Sequence, residues 1–285
     1  MADVDVLESV AGPPPELRYR HRFRLGPALR EVWTVRELVR TLTERDLRAR
    51  YKQALLGFAW AVVPAIASVV LFTVLFDRVA DIDTAGTPYA LFTYFGVLTW
   101  GFFSNAVNSG GNSLVGNVSI LNKVACPREV FPLTSVVTAS VDWAVVAATG
   151  PILFAVVGEV PHIEALWFPL YLAIQVVFTL GVVLLLSAVI VFLRDLRHAL
   201  PLLLQLGLFA TPVVWNLQSI QGSGRVVYAF FNPLGTVIDG LRNTALRGEG
   251  PDWRLVGASA TTSVALLALG YWVFKRLEPG IADVA

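Results

Sequence analysis

Asp142 stands within a long uncharged stretch of this 285-residue chain, where an ionisable carboxyl is costly and turns to protein or water instead of lipid. It could hold a proton or a cation, or it could be a polar clamp. No second acid lies within an uncharged stretch beside it, so the clamp is favoured, and Asn105, at matching depth in the preceding stretch, is the expected hydrogen-bond partner. Tyr89, Phe92, Tyr94, Phe95, Trp100, Phe102 and Phe103 crowd that preceding stretch, with Trp60 and Trp215 elsewhere. Such rings either anchor a helix at a membrane interface or stack on the C–H faces of sugars, and chemistry alone leaves both open. Other reactive groups are sparse. His21, His162 and His198 are scattered, and Cys126, the single cysteine, excludes an intramolecular disulfide and any multi-cysteine metal site. No glycine-rich loop ends in Gly-Lys-Ser/Thr, the usual cradle for ATP phosphates. We expect no catalytic residue, no metal ligand and no cofactor in this chain, and no nucleic-acid partner.

The elements that must position these residues read as membrane helices. Charged residues make up 15% of the chain and apolar ones 55%, with a mean hydropathy of +0.64, too apolar for the surface of a soluble domain of this length. No cleavable leader is visible among the arginines and acids of the first 55 residues. Stretches at 57–76, 88–111, 131–157, 166–193, 199–217 and 255–274, uncharged apart from Asp142, approach or exceed the ~20 residues a spanning helix needs. Six crossings put both ends of the chain on one side. That side collects 17 of the 22 lysines and arginines, 11 of them between Arg18 and Lys52, so both termini are expected in the cytoplasm.

Four segments do not span. Residues 1–32, with Pro13-Pro14-Pro15, form an N-terminal tail, and 277–285 a short C-terminal one. Residues 33–55 read as an amphipathic interface helix. Thr34 and Glu37 fit a capping box, Val35, Leu38, Val39 and Leu42 form an apolar stripe, and Arg36, Arg40, Arg45 and Arg48 occupy other faces. This helix either rests on lipid or serves as a platform for a partner protein. Within the 56–276 transmembrane region, apolar runs at 226–231 and 234–238 are too short to cross. Separated by Asn232-Pro233, they read as two short re-entrant helices in an outer segment at about 220–250, near a pathway or packed on the outer surface.

The run Arg45-Asp-Leu-Arg-Ala-Arg-Tyr-Lys-Gln-Ala-Leu-Leu-Gly-Phe-Ala-Trp60, followed by Pro64, resembles the approach to the first span of ABC-2 permeases that export O-antigen and teichoic-acid polymers. The likeness continues through Pro88-Tyr89, Gly96, Trp100, Asn117 to Lys123, Pro127-Arg128-Glu129, Pro132, Arg194-Asp195-Leu196, Thr211-Pro212, Asn232-Pro233 and Phe274-Lys275-Arg276. One departure is Val124-Ala125-Cys126, where the family usually has a basic residue and an aromatic.

The resemblance implies an all-α integral membrane fold of six spans, an exporter of a lipid-linked glycan. It implies a homodimer docked on a separate nucleotide-binding ATPase subunit that binds ATP and Mg. It assigns ATPase coupling to Glu37, Arg45, Asp46, Arg50, Asn117, Leu121, Lys123, Arg194 and Asp195. A substrate channel follows at Trp60, Tyr94, Phe95, Trp100, Phe102, Phe103, Asn105 and Asp142, and an outer gate at Tyr228, Phe231, Asn232 and Pro233. A drug or free-lipid exporter of the same fold is the first alternative. A membrane enzyme acting on a polyprenyl-linked substrate is the second, but it needs a reactive cluster that the sequence lacks.

Overall fold

The computed structural model describes residues 35–52, 57, 59–77, 84, 86–121 and 126–284, and its regular structure is helical throughout. A helix satisfies its backbone hydrogen bonds internally, which lipid demands. The chain opens with α1 (Arg36–Tyr51) and α2 (Ala59–Phe72), which widens into a π turn at Thr73–Asp77. Next comes α3 (Tyr89–Gly111), followed by two single-turn helices, α4 (Ser113–Gly116) and α5 (Val118–Leu121). Helices α6 (Val130–Ala147) and α7 (Gly150–Val157) run on from one another, and α8 (Phe168–Phe192) follows the 3-10 turn Ile163–Trp167. The remainder is α9 (Leu196–Ala210), α10 (Gly224–Phe231), α11 (Pro233–Arg242) with the π turn Asn243–Arg247, and α12 (Trp253–Val284).

Among the described residues, four helical stretches are long and apolar enough to cross a membrane: Tyr89–Gly111, Val130–Val157, Ile163–Phe192 and Trp253–Gly280. The expected first and fifth spans are shorter apolar helices, Ala59–Leu75 and Leu196–Ala210. Helix α9 stops seven residues before the expected 217 because Thr211 precedes Pro212, a position that disfavours helix, and adopts extended backbone at φ −97° and ψ 144°. The C-terminal tail expected at 277–285 is instead helical through Val284, because α12 continues past Pro279.

Helix α3 is the hub, with most of its side chains buried among its neighbours. The most extensive pairing is α8 against α12. Gly181 and Gly270 make it close: a Cβ on Gly270 would strike the Gly181 carbonyl, and one on Gly181 would sit 2.7 Å from the Leu267 amide nitrogen. Small residues let helices approach in lipid, where association rests on packing instead of the hydrophobic effect.

The bundle has two ends. One gathers α1, the α4–α5 segment, the start of α6 and the finish of α8 and α12 around Leu42, Leu114, Phe131, Val191 and Phe274. The other gathers the 3-10 turn, the end of α11 and the start of α12 around Tyr171, Leu241, Ala245 and Val256.

Candidate functional site

Helix α1 is docked on protein. Its stripe of Val35, Leu38, Val39 and Leu42 packs into the cluster containing Val130, Phe131 and Phe274, while Arg36, Glu37, Arg40, Glu44, Arg45 and Arg48 face outward. The expected capping box rests on Thr34, which lies outside the described residues; the described helix has Val35 as its N-cap, without a side-chain cap bond. Arg45 pairs with Asp46 at 2.7 Å and donates to the Asn117 side-chain oxygen at 3.2 Å. Two segments assigned to ATPase coupling from sequence therefore touch. Leu121 is half-buried in the cluster beneath them, and Lys123 lies outside the described residues. Arg194 and Asp195 are exposed on the separate turn between α8 and α9.

The last turn of α1 reaches inward. Arg50 pairs through its guanidinium with the Asp142 carboxylate, and the Tyr51 hydroxyl donates to the other carboxylate oxygen at 2.7 Å. Burial pushes the titration of Tyr51 up, the neighbouring Asp142 adds to this and Arg50 partly opposes it, so the hydroxyl stays a donor. This corrects one expectation. Asn105 is not the partner of Asp142, because a cation and a phenol from α1 give stronger, charge-assisted bonds than an amide. Arg50 itself stays partly exposed, so it joins the outward face of α1 to the buried carboxylate.

Arg50 and Tyr51 join Trp60, Trp100, Phe102, Asn105 and Asp142 around a cavity of about 470 Å³ between α2, α3 and α6. Tyr94 and Phe95 line a different, more apolar cavity of about 610 Å³ with Phe154 and Phe168. The Tyr94 hydroxyl donates to the Val146 carbonyl at 2.9 Å, just before α6 gives way to α7. Phe103 lines neither cavity; it stacks on Phe178 at 5.7 Å and packs on Trp100 in the core, which corrects its place in the expected channel. Sequence reasoning missed Trp143, which borders both cavities and whose buried indole N–H finds no acceptor among the described residues. Its position next to Asp142 was the available signal.

At the other end, α10 and α11 meet at Asn232, whose φ of −131° and ψ of 81° break the helix before Pro233. The Asn232 amide donates at 2.9 Å to both the Thr211 and Tyr228 hydroxyls, and Tyr228 donates to the Ala210 carbonyl at 2.6 Å. Tyr228, Asn232 and Pro233 thus gather at the end of α9. Phe231 does not join them; it is 78% exposed and turns outward.

The hairpin is held by Arg242, a residue that sequence reasoning did not single out. It is fully buried and donates to the carbonyls of Phe92 at 2.8 Å, Pro212 at 2.8 Å and Val213 at 2.6 Å. Its guanidinium also lies 3.4 Å from the centre of the Phe92 ring. Gly96 makes room, since a Cβ there would come within 2.9 Å of the guanidinium.

At the basic end, Glu129 pairs with Lys275, which also bonds Glu278 at 3.1 Å, and Arg128 donates to the Glu278 carbonyl. The Pro127-Arg128-Glu129 and Phe274-Lys275-Arg276 motifs, far apart in sequence, are therefore joined.

These features define a multi-pass helical membrane protein with an outward charged helix wired to an interior cavity. The family of ABC-2 type transporters matches residues 37–246, and the chain belongs to it. It is 31% identical over 256 residues to the O-antigen export system permease protein RfbA of Myxococcus xanthus, covering 90% of this chain and 98% of that relative. A protein of the same name from Klebsiella pneumoniae is 25% identical over 249 residues, covering 87% and 95%, and a second one from that organism is 25% identical over 252 residues.

Proposed function

We propose that this chain is the transmembrane permease subunit of an ABC exporter that moves a lipid-linked polysaccharide of O-antigen or teichoic-acid type across the cytoplasmic membrane. ATP and Mg are bound and ATP is hydrolysed by a separate nucleotide-binding subunit, two copies of this chain form the passage, and both termini lie in the cytoplasm. The observation that carries this reading is α1. One face presents charged side chains outward, while its last turn holds Asp142 in the wall of the aromatic cavity. A push on the outer face, delivered where Arg45 meets Asn117, is transmitted to the cavity through Arg50 and Tyr51. Relatives named as O-antigen export permeases support the glycan as cargo.

Aromatic rings suit this task because they stack on sugars in many weak steps, which lets a polymer advance and leave. The alternative, a drug or free lipid as cargo, does not require such stacking. Depleting the protein in its host and identifying the lipid-linked glycan that accumulates in the inner leaflet tests the cargo. Removing the ATPase subunit should stop export, and unchanged export after that deletion defeats the coupling scheme.

A further inference from the structure

A third cavity, of about 350 Å³, lies at the basic end of the bundle where α8 leaves its apolar stretch. Its floor is aliphatic, from Val118 of α5 and Ile190 and Val191 of α8. Its rim is cationic, from Arg194 on the turn before α9 and Arg197 and His198 in the first turn of α9. These rim side chains are exposed, and among the described residues none has a hydrogen bond or ion pair. Asp195 lies on the same turn but does not line the cavity.

We infer that this cavity binds the phosphate of an anionic phospholipid. An aliphatic floor beneath two guanidinium groups and an imidazole matches a molecule with a phosphate joined to a hydrocarbon body. Arginine takes phosphate oxygens in pairs through its planar fork. Basic pockets between membrane helices, at the level where they meet the cytoplasm, suit lipid headgroups, and the volume exceeds what phosphate alone needs. An acidic side chain of a soluble partner would satisfy the rim but leave the floor unfilled. The site is separate from the aromatic cavity and does not depend on the identity of the cargo.

The test is lipid retention by the purified full chain, read by native mass spectrometry after exchange into mixed micelles of phosphatidylglycerol and phosphatidylcholine. The wild type should keep phosphatidylglycerol with a preference of roughly tenfold or more, and the Arg194→Gln, Arg197→Gln double variant should lose that preference. Val118→Trp, which fills the floor and leaves the charges, should lower retention too. Arg276→Gln, which removes a cation elsewhere at the same end, should leave it unchanged. Inorganic phosphate should not displace the lipid; displacement would assign the site to the free anion. An equal loss in Arg276→Gln, or no preference in the wild type, overturns the proposal. So does full displacement by the added ATPase subunit, which would assign the rim to protein contact.

Discussion

Asp142 and Arg242 are two of the buried charges among the described residues, and they differ in what surrounds them. Asp142 is served by an arginine and a tyrosine from another helix, so Asp142→Asn keeps the Tyr51 hydrogen bond but weakens the grip on Arg50. We expect Asp142→Asn to assemble and export, and Asp142→Ala to lose about 1–3 kcal/mol, read as a lower melting temperature in detergent. Abolished export by a well-folded Asp142→Asn would instead point to a titrating role. Arg242 answers several carbonyls with one rigid fork. Arg242→Met should cost about 3–5 kcal/mol, and lysine should restore only part of it because a single ammonium cannot reach the same set. Cys126 gives a third test at this scale. Its thiol is pushed up chiefly by burial, with Arg128 partly opposing, so maleimide labelling should be slow near neutral pH and should accelerate as pH rises. Rapid labelling at neutral pH would contradict that burial. Asp142 was legible in the sequence because a carboxyl in an apolar run is rare, but its partners were not. They come from a helix some ninety residues earlier (|i−j| of 92 and 91), and no periodicity reports such a contact. Arg242 was missed because a charge near the end of an outer segment reads as solvent-facing unless the carbonyls that surround it are known.

At the scale of elements, pattern located the helices and failed at their ends. The apolar stripe of α1 and the Asn232-Pro233 break gave the surface helix and the short outer pair, since period and proline act locally. The end of α9 was carried too far because Val213, Val214 and Trp215 are as apolar as a helix, whereas the Thr211-Pro212 pair decides the backbone. The aromatic set of α3 was read as one channel wall, yet a helix points its side chains in all directions, so Phe103 goes to the core and Tyr94 to a second cavity. The contact between α6 and α12 yields a prediction. With Glu129 buried and Lys275 half-buried, Glu129→Gln removes one charge and leaves the lysine with Glu278 alone, which should cost about 1–3 kcal/mol and raise amide exchange in the last turns of α12.

Among the described residues, the short helices α2 and α9 each leave an apolar face uncovered. Along α2, Trp60, Val63, Ile66, Val70 and Leu71 are exposed, as are Leu202, Leu203, Leu206 and Phe209 along α9. Both helices are short: fifteen residues of α9 rise about 22 Å against a hydrocarbon layer of about 30 Å. A short helix facing lipid alone must thin the bilayer or find protein beside it, and in the proposed dimer a second copy of the chain would supply that protein at both faces. The cavity holding Trp100 and Asp142 lies beside them, with Trp60 of α2 and Leu208 of α9 in its lining, so pairing of two copies would also enclose the passage. The expected mass in detergent, corrected for bound lipid and detergent, is therefore twice the 31.0 kDa of one chain. Val70→Glu combined with Leu206→Glu should shift it to that of a single chain and abolish export, while preserving the helical circular dichroism, because neither side chain supports its own subunit's core. A single-chain mass for the wild type, or full export by the separated double variant, would mean that lipid alone covers α2 and α9 and that each bundle carries its passage within itself.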